Sequence, residues 1–156
     1  MSKTTLAFDV YGTLIDTNGV LTLLEKFIGE KAKAFSTTWR DKQLEYSFRR
    51  GHMQNYVSFD ICTQQALDYS CLFHNVNLSN QQKARLMDLY AVLPASSEVK
   101  ETLEKFKEKG FNLYAFSNGK KEAVKKLLAN AGIINFFDGV VSVDDIKPFK
   151  PSPGAY

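Results

Sequence analysis

Asp9, Thr13, Ser117, Asn118 and Lys150 are residues of this sequence whose types and placement can do chemistry together. Asp9 closes an apolar run in the stretch Leu6-Ala7-Phe8-Asp9-Val10-Tyr11-Gly12-Thr13-Leu14. A carboxylate with an ordinary pKa of about 3.9 is ionised at neutral pH and needs no base to act as a nucleophile. It can displace a leaving group and form an ester or an acyl phosphate. An aspartate that merely caps a turn looks the same when taken alone. Ser117-Asn118-Gly119 precede a helical pattern, where unpaired backbone N–H groups favour an anion such as a carboxylate or phosphate. The same residues also serve as ordinary helix caps. Lys150 offsets the charge of Asp9 and of a bound anion, and keeps the carboxylate ionised. Lys147 is a rival for that role, since Pro148 and Pro151 follow the two lysines alike. Thr13 lies one turn past Asp9.

The elements that must position these groups alternate between two rhythms. Residues 5–10 read as a buried strand, because apolar and β-branched residues run together into a turn signal. Asp9 then lies at the carboxyl end of that strand, where open α/β sheets bind ligands. Val20, Leu23, Leu24, Phe27 and Ile28 recur at helical spacing and Gly29 stops them. Further helices are expected over about 32–50, 56–73 and 79–93, the last opened by an S-x-x-Q capping box at Ser79 and Gln82. Phe48, Tyr56 and Phe73 read as core at helical spacing, with an exposed binding face as the alternative. After Pro94 the rhythm changes. Ser97 is the expected cap of a helix bearing Val99, Leu103 and Phe106, with Gly110 at its end. Residues 111–116 read as a strand, the next helix carries Val124, Leu127, Leu128 and Ala131, and residues 139–143 read as a third strand. Strands alternating with helices predict an α/β fold with a parallel sheet. Residues 16–93 read as an all-helical block inserted into a core made of 1–15 and 94–156.

Composition bounds the rest. A chain of 156 residues with 44% hydrophobic content fits one globular core with a compact insertion. The net charge is +3 and the pI about 8.8, with Lys and Arg spread through the chain, so no nucleic-acid partner is expected. Arg49-Arg50 and Lys120-Lys121 read as solvated helix faces or ends. Cys62 and Cys71 form neither a metal spacing nor a disulfide framework, and buried thiols in a reducing compartment are the expectation. Residues 1–5 lead straight into the strand without a signal-peptide pattern, and no apolar run reaches the roughly 20 residues of a membrane span. A cytoplasmic protein with no membrane partner is expected.

As a set, the strand ending Asp9-Val10-Tyr11-Gly12-Thr13, then Ser117-Asn118, then Lys150-Pro151 resembles the haloacid dehalogenase superfamily. Phosphatases of that superfamily carry a second Asp two residues after the nucleophile. Here that position is Tyr11, which argues against phosphoryl transfer. Asp-x-Tyr-Gly-Thr-Leu looks instead like the branch acting on L-2-haloacids. The segment Trp39-Arg40-Asp41-Lys42-Gln43-Leu44-Glu45-Tyr46 resembles that branch's cap helix, and Ser142-Val143-Asp144 also fits. The resemblance implies a Rossmann-like core and hydrolysis of a 2-haloacid to a 2-hydroxy acid. Asp9 would attack the halogen-bearing carbon, Thr13 hold Asp9 in place, Arg40 receive the halide, and Ser117 and Asn118 hold the substrate carboxylate. Lys150 would balance charge. Tyr11, Leu44 and Phe59 match apolar substrate contacts, and Tyr156 matches an active-site tyrosine. The resemblance implies no metal and no cofactor. Capped members often pair through helices, which keeps a homodimer open.

The superfamily's final motif, expected after a further helix and strand, has no counterpart in these residues. Part of the water-activating shell and a neighbour of the first strand would be missing with it. The expectation is a core incomplete at the C-terminus, read as a fragment in preference to a chain completed by a partner or a degenerate member. Asp9 could then be alkylated, while turnover by these residues alone is in question.

Overall fold

The computed structural model describes residues 4–156, and the Met1-Ser2-Lys3 lead-in lies outside them. Three strands, β1 (Thr5–Phe8), β2 (Asn112–Ser117) and β3 (Gly139–Ser142), form a parallel sheet in the order β1-β2-β3. The register runs from Thr5 opposite Asn112 to Phe8 opposite Ala115, and from Tyr114 opposite Gly139 to Ser117 opposite Ser142. Because the strands are parallel, all three carboxyl ends open on one rim, and Asp9, Asn118 and Val143 follow them there. Ligands of open α/β sheets collect at such a rim.

Between β1 and β2 the chain is helical: α1 (Leu21–Ile28), α2 (Ala32–His52), α3 (Phe59–Phe73), α4 (Asn80–Tyr90) and α5 (Val99–Glu108). The helix α6 (Lys121–Asn130) joins β2 to β3. The segments leading into and out of the α1–α4 block run side by side. Asp16 N–H donates to the Pro94 carbonyl at 3.0 Å and Ser96 N–H to the Leu14 carbonyl at 3.1 Å. Trp39 and Phe35 on α2, Leu67 on α3 and Leu86 on α4 are buried in one cluster that continues to Leu113 and Ala115 under the sheet. A second cluster, Phe59, Cys62, Val143, Phe149 and Ala155, ties α3 to the loop after β3. Cys62 and Cys71 are free and buried, as expected, and burial pushes both thiols up. Among the described residues no helix is long and apolar enough to cross a membrane.

Several expectations need correction. β1 is not a buried strand: Thr5 and Ala7 are exposed and Leu6 and Phe8 half-buried. It stands at the sheet's edge, and its Thr5 and Ala7 line an open depression instead of a covered layer. α3 begins at Phe59, not near Tyr56; Tyr56 and Val57 pack as an extended lead-in against the second cluster. α4 ends at Tyr90, and its capping box at Ser79 and Gln82 is present as expected. Ser97 does not cap α5, because Glu98 occupies the cap position; the Ser97 hydroxyl donates to the Glu98 side chain at 3.1 Å. Phe48 and Phe73 are exposed rather than core, with Phe73 stacked on Tyr69 at the surface.

Candidate active site

β1 ends at Phe8, so the Asp9 carboxylate emerges at the sheet rim. Its side chain is half exposed. Lys150 Nζ donates to Asp9 Oδ1 at 2.6 Å and to the Phe116 carbonyl at 2.7 Å, lying 4.7 Å from the Phe116 ring centre. The lysine is itself largely covered, at 14% side-chain exposure, so its charge is directed at Asp9 rather than dispersed in solvent. Thr13 Oγ1 donates to Asp9 Oδ2 at 3.4 Å, a long bond on the other carboxylate oxygen.

The turn after Asp9 makes that placement possible. The N–H groups of Thr13, Leu14 and Ile15 all converge on the Val10 carbonyl. Gly12 adopts φ +87, a region that disfavours any residue with a Cβ. A Cβ there would also lie 3.3 Å from Arg40 Nη2. Arg40, on α2, reaches across and donates from Nη2 to the Tyr11 carbonyl at 2.6 Å. The cationic end of the helical block therefore sits on the loop that carries the nucleophile candidate.

Asn118 fixes Lys150 from behind. Its Oδ1 accepts from the Lys150 N–H at 2.8 Å and its Nδ2 donates to the Lys150 carbonyl at 3.4 Å. Ser117 is buried and its hydroxyl accepts from Gly119 N–H at 3.0 Å. Ser142, at the end of β3, donates to the Gly119 carbonyl at 2.6 Å and accepts from Asp144 N–H at 3.1 Å. The rival Lys147 is turned away, at φ +69, over the Tyr56 ring and 3.8 Å from Asp144.

The apolar wall is built on Tyr11. Its ring stacks on Tyr90 at 5.7 Å and lies 5.5 Å from Phe59. Burial, then the neighbouring Tyr90 phenol, push the Tyr11 phenol well above its ordinary range against the opposing Arg40 charge. At neutral pH Tyr11 presents a ring and a protonated hydroxyl. Tyr156 packs edge-on against Phe116 at 5.5 Å and shares with Asp9 and Lys150 an open depression of about 640 Å³. Leu44 lies on α2 one turn beyond Arg40 and is half-buried, but joins neither apolar cluster among the described residues. Sequence reasoning missed Thr63 and Tyr90 and gave Gln43 no role of its own. These three surround Arg40's far side, and Gln43 and Thr63 are polar yet fully buried.

A parallel α/β sheet with a carboxylate at its rim, paired with a lysine from a later loop and adjoined by an arginine from a helical insertion that holds the next loop, defines a hydrolase-like α/β site. The chain belongs to the haloacid dehalogenase-like hydrolase family, whose model matches residues 3–156. It is 36% identical over 151 residues to (S)-2-haloacid dehalogenase 2 of Pseudomonas sp. (strain CBS-3), covering 97% of this chain and 66% of that protein. The crystal structure of the L-2-haloacid dehalogenase RSc1362 superposes with a TM-score of 0.94 at 35% identity, covering all of this chain and 70% of that one. The L-2-haloacid dehalogenase of Xanthobacter autotrophicus with chloropropionic acid covalently bound superposes with a TM-score of 0.90 at 30% identity, covering 99% and 62% of the two chains. The fold expectation, a HAD-like sheet core with an inserted helical block, holds. The chain spans just under two thirds of the length of the first curated relatives it matches.

Proposed function

We propose that this chain carries the nucleophilic half-reaction of L-2-haloacid hydrolysis, forming an Asp9 ester and a halide, with ester hydrolysis completing the conversion to a 2-hydroxy acid. The observation that carries the reading is the Asp9–Lys150 contact at 2.6 Å on the sheet rim, with Arg40 held on the adjoining Tyr11 carbonyl at 2.6 Å. An Asp9 oxygen attacks C2 of the substrate from the side opposite the halogen. The C–O bond forms as the carbon–halogen bond breaks, and the halide leaves with the electron pair toward Arg40. The Ser117 hydroxyl, which accepts from Gly119 N–H and keeps its own hydrogen to donate, holds the substrate carboxylate, with Asn118 contributing there while it fixes Lys150. Thr13 keeps the second Asp9 oxygen from turning away. Tyr11, Phe59 and Leu44 give the substrate's alkyl group an apolar wall, and Tyr156 closes the opposite side. Water then adds to the Asp9 ester carbonyl and the Asp9–oxygen bond breaks, releasing the 2-hydroxy acid, a proton and a restored carboxylate.

In this reading residues 16–93 are the cap and 1–15 with 94–156 the core. The exposed apolar residues Met53, Leu72 and Phe73 on the cap support pairing of two copies through that face. No membrane or nucleic-acid partner is invoked, and the site is placed in the cytoplasm.

The test is mass spectrometry of the Asp9 peptide after exposure to L-2-chloropropionate, with chloride release followed in parallel for this chain and for one extended at its C-terminus. A propionate mass added at Asp9 is expected. Absence of that adduct together with Mg²⁺-dependent hydrolysis of p-nitrophenyl phosphate would replace the reading with a phosphatase.

A further inference from the structure

We infer that Gln43 is a positioning residue for Arg40, holding the guanidinium ready for the halide without neutralising it; this rests on the halide-accepting role proposed above. Gln43 is 1% exposed. Its Oε1 accepts from Arg40 Nη1 at 2.5 Å and from the Tyr90 hydroxyl at 2.9 Å. Its Nε2 donates to Thr63 Oγ1 at 2.6 Å.

The direction of the amide is dictated by its neighbours. Thr63 Oγ1 donates its single hydrogen to the Phe59 carbonyl at 2.9 Å, so toward Gln43 it can only accept. The nitrogen of the Gln43 amide must therefore face Thr63, and the oxygen must face Arg40. Thr63 is held in turn through its own carbonyl, which accepts from Trp39 Nε1 at 2.8 Å. The chain of contacts runs from the α2–α3 interface to the tip of Arg40. Nη1 is fixed by Gln43, with Tyr90 at 3.5 Å, and Nη2 by the Tyr11 carbonyl.

An arginine that must meet a departing anion gains from being oriented beforehand, because a long free side chain has to be ordered during the reaction. The identity of the clamp matters as much as its geometry. A carboxylate at position 43 would also orient Arg40, but its charge would compete with the halide for the same guanidinium. A neutral amide orients and leaves the charge available. The same contacts border a cavity of about 240 Å³ lined by Trp39, Arg40, Gln43 and Tyr90.

Trp39 is the single tryptophan of the chain and belongs to this network, so it reports on the site directly. The experiment titrates sodium bromide against Trp39 fluorescence, and measures Asp9 alkylation by 2-chloropropionate and 2-bromopropionate by mass spectrometry. Wild type is compared with Gln43→Leu, Gln43→Glu and Thr63→Val. Gln43→Leu is expected to weaken bromide binding about tenfold, the effect of losing one hydrogen bond to a charged group. It should slow the chloride substrate more than the bromide one, since the poorer leaving group depends more on Arg40. Gln43→Glu should weaken bromide at least as much. A role in stability alone would leave both the bromide affinity and the chloride-to-bromide rate ratio unchanged, and that result in the folded variants overturns the assignment. If Gln43→Leu does not fold, Thr63→Val, which removes only the hydroxyl that sets the amide's direction, decides the matter by a shift of the same sign or none. Wild type that binds bromide, with binding lost in Arg40→Leu, but is not alkylated sinks the dehalogenation reading and leaves Gln43 to be judged on bromide alone. Wild type that binds no bromide overturns the assignment.

Discussion

Asp9 and Lys150 touch, and each can be removed separately. Asp9→Asn should abolish the substrate adduct on its peptide, with the folded signal of Trp39 unchanged. Lys150→Ala should keep the adduct but slow its appearance about a hundredfold, as expected for loss of one preorganised charge beside the reacting group. Gly12→Ala forces a Cβ into a left-handed conformation and toward Arg40 Nη2, so it should lower both stability, by about 1 kcal/mol or more, and bromide affinity. The tyrosines give a pH prediction. Burial raises the phenols of Tyr11, Tyr56 and Tyr90, with Asp144 adding to the effect at Tyr56. Above a pH of about 10 the unfolded chain has released phenol protons that the folded chain retains, so stability falls as pH rises past that point. Absorbance near 295 nm should show three of the seven tyrosines failing to ionise until unfolding. At this scale the placement of Asp9, Ser117 and Lys150 was legible because Asp9 and Lys150 come after strands and Ser117 closes one. The choice between Lys150 and Lys147 was not, since both precede proline; it depends on the Asn118 amide gripping the Lys150 backbone across 32 positions of sequence.

The helices were readable where their ends carry chemical signals. Ser79 and Gln82 form the capping box their spacing predicts, and Ser79→Ala should cost about 1 kcal/mol, roughly 3 °C in Tm. α2 is different. Phe35 and Trp39 are buried on it, and Phe35→Ala should cost about 3–5 kcal/mol by leaving a cavity, measurable by denaturant unfolding. Its buried polar residues, Gln43 and Ser47, are invisible to hydrophobic periodicity, which counts them as solvent-facing. A polar residue one turn after a buried Trp, opposite a threonine on the neighbouring helix, was the only trace that network left in the sequence. Ser97 failed as a cap because α5 starts at Val99, which puts Glu98 and not Ser97 at the cap position.

Across the whole molecule, the alternation of strand and helix was enough to give a parallel sheet with its chemistry on one rim. Sheet order and exposure were not fixed by it, because strand composition reports on residues and not on what lies over each face. Thr5, Ala7, Tyr114, Phe116 and Val141 line an open depression, and β1 is an edge among the described residues. Such a surface binds hydrophobic dyes and self-associates. Val141→Asp should roughly halve anilinonaphthalene sulfonate fluorescence and reduce concentration-dependent light scattering, without changing the far-UV spectrum.

The two members of the Asp9–Lys150 ion pair are separated by 141 positions along the chain. A ribosome delivers the aspartate 141 residues ahead of its lysine. Nascent chains arrested before residue 150 should therefore leave Asp9 unmodified under conditions that alkylate the released protein. On the proposed half-reaction, Asp9 would stay unreactive until both residues have been made and the sheet has folded between them.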